Sequence, residues 1–315
     1  MHILRGDKTA IFPESQLLKL KEYMVGLRKS IANEKKSKGL KVGEGKEAMT
    51  FAIYKLTCEL LIQEGTAESY FVLCWLTMQW NLMSRSEATE SISFSQMRWE
   101  NDTLKVFFPR HKGDAVGLTK DEARHVYSNP LTPAVCPLRA LASYLMIFPK
   151  ILIDGNCLFP GTQQKSRFNR LLHEVLMKHE AIFQAHGTDP TEIGSHSIRK
   201  GAATYCCAGA IPGPPIVSVC LRAGWTIGKV KERYLKYENS GDQYVGRTLT
   251  GISPSSGEFA FSPCYFKPDS NEDFINNLST SPKSHQSTRR RLRTLILKTI
   301  KILMKIHHGD NSQSH

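Results

Sequence analysis

Apolar positions recur at helical spacing through most of the chain. From Glu14 to Ala32 they fall at Leu17, Leu18, Leu20, Tyr23, Met24, Leu27 and Ile31, which predicts a helix, and the Lys/Gly-rich stretch from Asn33 to Lys46 reads as a linker. That linker is open between a solvated connector and a segment that touches phosphates. Two helices are expected between Glu47 and Met83. The first carries Phe51, Tyr54, Leu56, Cys58, Leu60 and Leu61 and is closed by Gly65. The second, Ala67 to Leu82, is apolar on nearly every side, as a helix inside a core must be.

The period then changes. Ile92, Phe94 and Met97, followed by Leu104, Val106 and Phe108, alternate around Asn101-Asp102, which predicts a β-hairpin. A second turn follows at Pro109 to Asp114, so one small antiparallel sheet is placed between Ser91 and Gly117. His125 to Cys136 is rich in turn formers and reads as a loop into a helix from Leu138 to Phe148. Asp154 to Gly161 is a further turn, with Cys157-Leu158-Phe159 as a short buried piece. Arg167 to His186 has the spacing of one amphipathic helix. Another helix is expected to begin at Ser195 or Ser197 and to end in the proline-rich segment Gly209 to Pro215. Ile216 to Arg222 should stop at Gly224, and Thr226 to Tyr237 is predicted helical. The fold class is therefore mainly α with a small antiparallel β-sheet.

Charge adds a partner class. The 315 residues carry a formal charge of +13, which suits a polyanion. Eight Lys or Arg and no acid lie between Ser281 and Gly309; with those and Asp310 set aside, residues 1–280 carry +6. Pro263 to Ser287 is a Pro/Ser/Asn-rich linker, and Arg289 to His308 is a basic segment with Leu292, Leu295, Ile296, Ile300, Leu303 and Ile306 at near-helical spacing. This tail is open among nucleic-acid binding, nuclear import, docking on a neighbouring subunit and lying on a membrane surface. The apolar run Phe71 to Trp80 is too short to span a bilayer, so no membrane partner is expected. The eight cysteines show no Cys-x-x-Cys spacing and read as reduced core residues. Histidines 173, 179 and 186 lack acids at ligand spacing, there is no glycine-rich phosphate loop, and neither metal nor cofactor is expected.

The chemistry-bearing stretch is Ile193 to Tyr237. His196 and Arg199 stand three apart at the start of a helix, hence on one face, and can reach one ligand together. Trp225 and Tyr234 follow. A cluster of His, Arg, Trp and Tyr with no acid inside it suits an anionic substrate.

His196-x-x-Arg199, then Gly224-Trp225 where many relatives have Gly-His, then Tyr234 nine residues on, resembles the active-site half of a tyrosine recombinase (phage-integrase-type) domain. The fuller text, HSIRKGAATY with RAGW and DQYVGR, is similar to the eukaryotic branch found in Crypton-like mobile elements. The likeness covers residues 43 to 262, leaving residues 1–42 as a short helical arm with a basic linker, 263–287 as linker and 288–315 as tail. It implies a tyrosine recombinase catalytic fold, double-stranded DNA as partner, self-association on DNA, and a nuclear location. Arg85, just past the buried helix and followed by Ser-Glu, matches the family's first catalytic arginine. Without the family, Arg85 reads as an ion-pair partner of Glu87 or Glu90. Lys112 matches the catalytic lysine of the small sheet's turn, with Arg110 and His111 as near neighbours. Tyr234 matches the nucleophile, with Tyr237 one turn on. The implied catalytic set is Arg85, Lys112, His196, Arg199, Trp225 and Tyr234. Relatives have a larger DNA-binding domain ahead of the catalytic one than about 42 residues supply. A truncated, inactive DNA-binding relative that keeps the fold is the alternative expectation.

Overall fold

The computed structural model describes residues 14–37, 46–108, 123–151, 156–209, 213–225 and 239–260. The chain divides into two compact units, Met1–Gly45 and Lys46–His315. In the first unit, α1 (Glu14–Ser37) runs five residues past the expected end at Ala32. Glu34, Lys35 and Lys36 are good helix formers, so charge that reads as a linker extends the helix instead.

The second unit is organised around α3 (Ala67–Leu82), in which every residue from Phe71 to Leu82 is buried. The ends of α2 (Phe51–Glu64) and α3 are set locally, as the sequence predicts. Thr50 caps α2 by accepting from Ile53 N at 3.3 Å, and Gly65 closes it at φ 63°. Thr66 and Ser69 cap α3 reciprocally, each bond 3.0 Å long. α3 packs against α2, α5 (Pro137–Ile147), α6 (Gln164–Lys178) and α8 (Ser195–Thr204). Stacked rings fill these contacts: Trp75 on Phe168 with centroids 5.0 Å apart, and Trp80 on Tyr54 at 4.3 Å.

After α3, Met83 takes a left-handed conformation (φ 49°, ψ 35°), which turns the chain sharply into α4 (Ser86–Glu90). The sheet follows: β1 (Met97–Glu100), β2 (Thr103–Phe107) and β3 (Ala123–Val126), antiparallel in the order β1-β2-β3. Trp99 pairs with Leu104 across the first hairpin, and Asn101 supplies the left-handed turn residue at φ 51°. The third strand is a correction, because residues 123–126 lie beyond the expected sheet limit and run into the expected loop. β3 is buried along its whole length, including Arg124 and His125. Arg124 Nη1 donates to Leu82 O and His125 Nδ1 bonds Asp242 inside the protein, so no apolar alternation marks the strand.

Two further expectations change. Arg167 to His186 is not one helix: it divides at His179 (φ −111°, ψ 24°) into α6 and α7 (Glu180–Ala185), and the bend lets Phe183 reach the core. The N-cap of α8 is Gly194, not Ser195 or Ser197; Ser197 Oγ instead accepts from Gly194 N at 3.0 Å. A π-helical turn, Tyr205–Gly209, follows α8. α9 (Ile216–Ala223) ends at Gly224 (φ 64°) as predicted. α10 (Asn239–Leu249) and α11 (Gly257–Ala260) complete the described chain. The overall result is a mainly helical α+β fold with one small antiparallel sheet.

Candidate functional site

Arg85, His196, Arg199 and Trp225 arrive from three separate stretches and meet at one place. Arg85 is the N-cap of α4, delivered by the Met83 turn at the end of the buried helix. His196 and Arg199 lie in the first two turns of α8. That helix starts where it does because the segment before α2 is laced to it: Glu47 N donates to Glu192 O at 2.9 Å and Met49 N to Ser197 O at 3.0 Å. The approach is closest at Gly201, where a Cβ would stand 1.8 Å from Met49 O. Trp225 follows the left-handed Gly224, and its ring centroid lies 5.8 Å from the Arg199 guanidinium carbon. Arg199 also donates to Ala223 O, tying α8 to the end of α9.

The charge of Arg85 is felt at Arg199. Burial, and then the positive charge of Arg85, pull Arg199 down to about 10. A guanidinium lowered that far is still charged at neutral pH, so the pair is a concentrated patch of positive charge. Arg85 is exposed, and no hydrogen bond from its guanidinium occurs among the described residues. The ion-pair reading of Arg85 is answered by Lys165 on α6. Its ammonium holds Glu87, and its backbone N–H donates to Glu90 Oε1 at 3.1 Å. The Glu87 carboxyl lies below its ordinary value chiefly through that Lys165 bond, with a smaller contribution from the nearby His196. Both carboxylates next to Arg85 are thus engaged by Lys165.

Lys112 and Tyr234, together with Arg110, His111 and Tyr237, lie outside the described residues, as does the basic tail. Lys112 belongs to the connection between β2 and β3, and Tyr234 to the stretch between α9 and α10. A cavity of about 550 Å³ lies elsewhere, at the β1–β2 turn. Its charges are paired among themselves, Lys105 with Glu100 at 2.5 Å and Arg247 with Asp102 at 2.7 Å, so it offers an anion no net charge. No group of three or more His, Cys, Asp or Glu with metal-holding geometry occurs among the described residues, and none of their helices is long and apolar enough to cross a membrane.

Sequence reasoning missed two features that hold this site. Gln79, buried in α3, donates to Ser86 Oγ at 3.2 Å and to Ser195 O at 3.0 Å, next to Arg85 and His196 respectively. Behind it, Arg222 on α9 is fully buried and donates to Asp242 Oδ1 (2.6 Å), Asn81 O (2.7 Å) and His125 O (2.9 Å). His125 Nδ1 lies 2.7 Å from the other Asp242 oxygen. This knot ties the end of α3 to β3, α9 and α10. The available signal was the presence of Gln79 and Asn81 in an otherwise apolar helix, since buried polar side chains require partners. No protein-family model matches the chain, and no curated protein matches it.

Proposed function

We propose that this protein breaks and rejoins double-stranded DNA as a tyrosine recombinase of a mobile element, acting in the nucleus and self-associating on its DNA. The observation that carries the reading is the Arg85–Arg199 pair. Two planar forks, both charged at neutral pH and from distant parts of the chain, stand with His196 and Trp225, and the carboxylates beside Arg85 are engaged by Lys165.

In this reading the two arginines grip the non-bridging oxygens of one phosphodiester and stabilise the charge that builds there in the transition state. A tyrosine phenol ordinarily has a pKa near 10, so Tyr234 attacks only as its proton leaves, and His196 is assigned to accept it. A bond forms between the Tyr234 oxygen and phosphorus while the bond from phosphorus to the 5′-oxygen breaks. Lys112 gives a proton to the departing 5′-oxygen, which leaves as a hydroxyl. Trp225 donates one hydrogen bond through its indole N–H and carries no proton between groups. The 3′-phosphotyrosyl ester conserves the bond energy, so the reverse attack by a 5′-hydroxyl of another strand restores DNA without a nucleotide cofactor.

The test is a nicked duplex carrying the element's own termini, on which the cleaved strand cannot rejoin. Wild type is expected to form a covalent protein–DNA adduct and Tyr234→Phe none, with duplex affinity within about twofold because only a hydroxyl is removed. Adduct in Tyr234→Phe but not in Tyr237→Phe moves the nucleophile to Tyr237. Tight duplex binding with no adduct from wild type replaces the reading with that of an inactive DNA-binding relative.

A further inference from the structure

Gln79 is 1 % exposed and lies in the most deeply buried stretch of the protein. The neighbouring polar residues of α3 find partners within their own helix: Thr77 Oγ1 donates to Leu73 O at 2.8 Å and Asn81 Nδ2 to Thr77 O at 2.9 Å. Gln79 does not. Its Oε1 accepts from Trp75 Nε1 at 2.9 Å, one turn back, and both hydrogens of its Nε2 point off the helix. One meets Ser86 Oγ and the other Ser195 O. The orientation of the amide is dictated by chemistry: an indole N–H only donates and a backbone carbonyl only accepts, so a flipped amide would lose both bonds.

These two acceptors matter because of what adjoins them. Ser86 follows Arg85, and Ser195 opens the helix that carries His196 and Arg199. Arg199 is lowered in part by the charge of Arg85, so the two like charges repel whenever no anion lies between them. Repulsion would be relieved if α4 and α8 moved apart, and the Gln79 amide opposes that movement with a hydrogen bond to each.

We propose that Gln79 is a positioning residue: its side-chain amide clamps the residue beside Arg85 to the first residue of α8 and so holds the two guanidiniums on one phosphate group. Touching no substrate itself, it acts through the spacing of the arginines, and small displacements of such groups weaken a site disproportionately. Naming the phosphate as that of a DNA strand rests on the function proposed above.

The full-length chain with Gln79→Met keeps the length and bulk of the side chain and loses its hydrogen bonds. With inorganic phosphate as the probe at low salt, titrated calorimetrically, its affinity is expected to fall tenfold or more. Adduct formation at saturating nicked duplex should slow about 10²-fold, while duplex Kd stays within about threefold. Gln79→Glu keeps the acceptor for Trp75 and, as a neutral acid, one donor for Ser195 O. Relative to wild type at each pH, its phosphate affinity should recover between pH 8 and pH 5.5, and that of Gln79→Met should not; a purely structural role predicts no such difference between two folded variants.

Phosphate affinity of Gln79→Met within twofold of wild type overturns the clamp. If that variant fails to fold, Ser86→Ala decides, removing one acceptor and nothing else of the amide's environment: a threefold loss sustains the clamp and no loss overturns it. Phosphate binding that depends on Arg85, Arg199 and Gln79 without any wild-type adduct keeps the clamp and removes the strand-breaking chemistry. Adduct formed by Gln79→Met at the full rate keeps the chemistry and removes the clamp. Absence of phosphate binding by wild type removes the clamp as well.

Discussion

Replacing Asp242 by Asn changes one oxygen to an NH₂ group and removes one charge at the centre of the knot that joins α3, β3, α9 and α10. Asp242 is 2 % exposed and Arg222 1 %. Both carboxylate oxygens accept: Oδ1 from Arg222 Nη1 at 2.6 Å, Oδ2 from the backbone N–H of His125 at 2.9 Å. An Asn side chain has one accepting oxygen, so its amide nitrogen would face a donor on one side or the other. The larger cost is the Arg222 guanidinium, which would remain buried with no counter-charge. Removing one partner of a buried ion pair costs about 3–5 kcal/mol. For a unit of this size that corresponds to a fall in Tm of roughly 6–20 °C. Urea unfolding followed by circular dichroism measures it directly. The double variant Asp242→Leu with Arg222→Met removes both charges and should be less destabilised than the sum of the two single changes. The acid limb gives a second reading. Burial opposes ionisation of Asp242, but Arg222 and the His125 contacts outweigh it and hold the carboxyl below its usual value. A depressed folded-state pKa contributes stability that is fully present above the unfolded carboxylate value, about 3.9, and is lost as pH falls through the folded value. Wild type should therefore lose stability below about pH 4 more steeply than Asp242→Asn does. A single-variant cost under about 1 kcal/mol, or a double variant as unstable as the summed singles, would refute the counter-charge account.

Gly201→Ala would place a methyl 1.8 Å from Met49 O and 3.0 Å from the Trp80 ring, so backbone must move; a loss of about 1–3 kcal/mol is expected in urea unfolding, and a neutral result would mean that α8 and the residue 46–49 segment are not locked together. Arg199→Lys keeps the charge but not the planar fork, so duplex affinity and its salt dependence should hold while adduct formation slows by about 10–100-fold; a rate within twofold of wild type would remove Arg199 from the phosphate. Deleting residues 281–315 removes eight cationic side chains, and the slope of log Kd against log salt should fall by about 0.9 for each phosphate that is no longer neutralised; an unchanged slope would assign the tail to import or to a protein partner.

What the sequence determined by itself is what short-range chemistry controls. Thr50, Gly65 and Thr66 bound α2 and α3 through bonds spanning three or four residues, and Gly224 and Asn101 supply the left-handed positions their turns require. The apolar character of α3 on nearly every side announced a core helix, and the Arg85, His196, Arg199 and Trp225 spacing was readable as text. The tertiary structure alone decided which charges are neutralised and which are left to act. Lys165 neutralises Glu87 with its ammonium and bonds Glu90 through its backbone N–H, and that depends on α6 arriving beside α4. β3 was invisible because Arg124 and His125 break the apolar pattern, yet both are buried against Leu82 O and Asp242, partners far along the chain. Gln79 and Arg222 escaped notice for the same reason. A polar side chain in a core is stable only if its partners arrive from elsewhere in the fold, and nothing in the residues flanking it records where those partners stand in the chain.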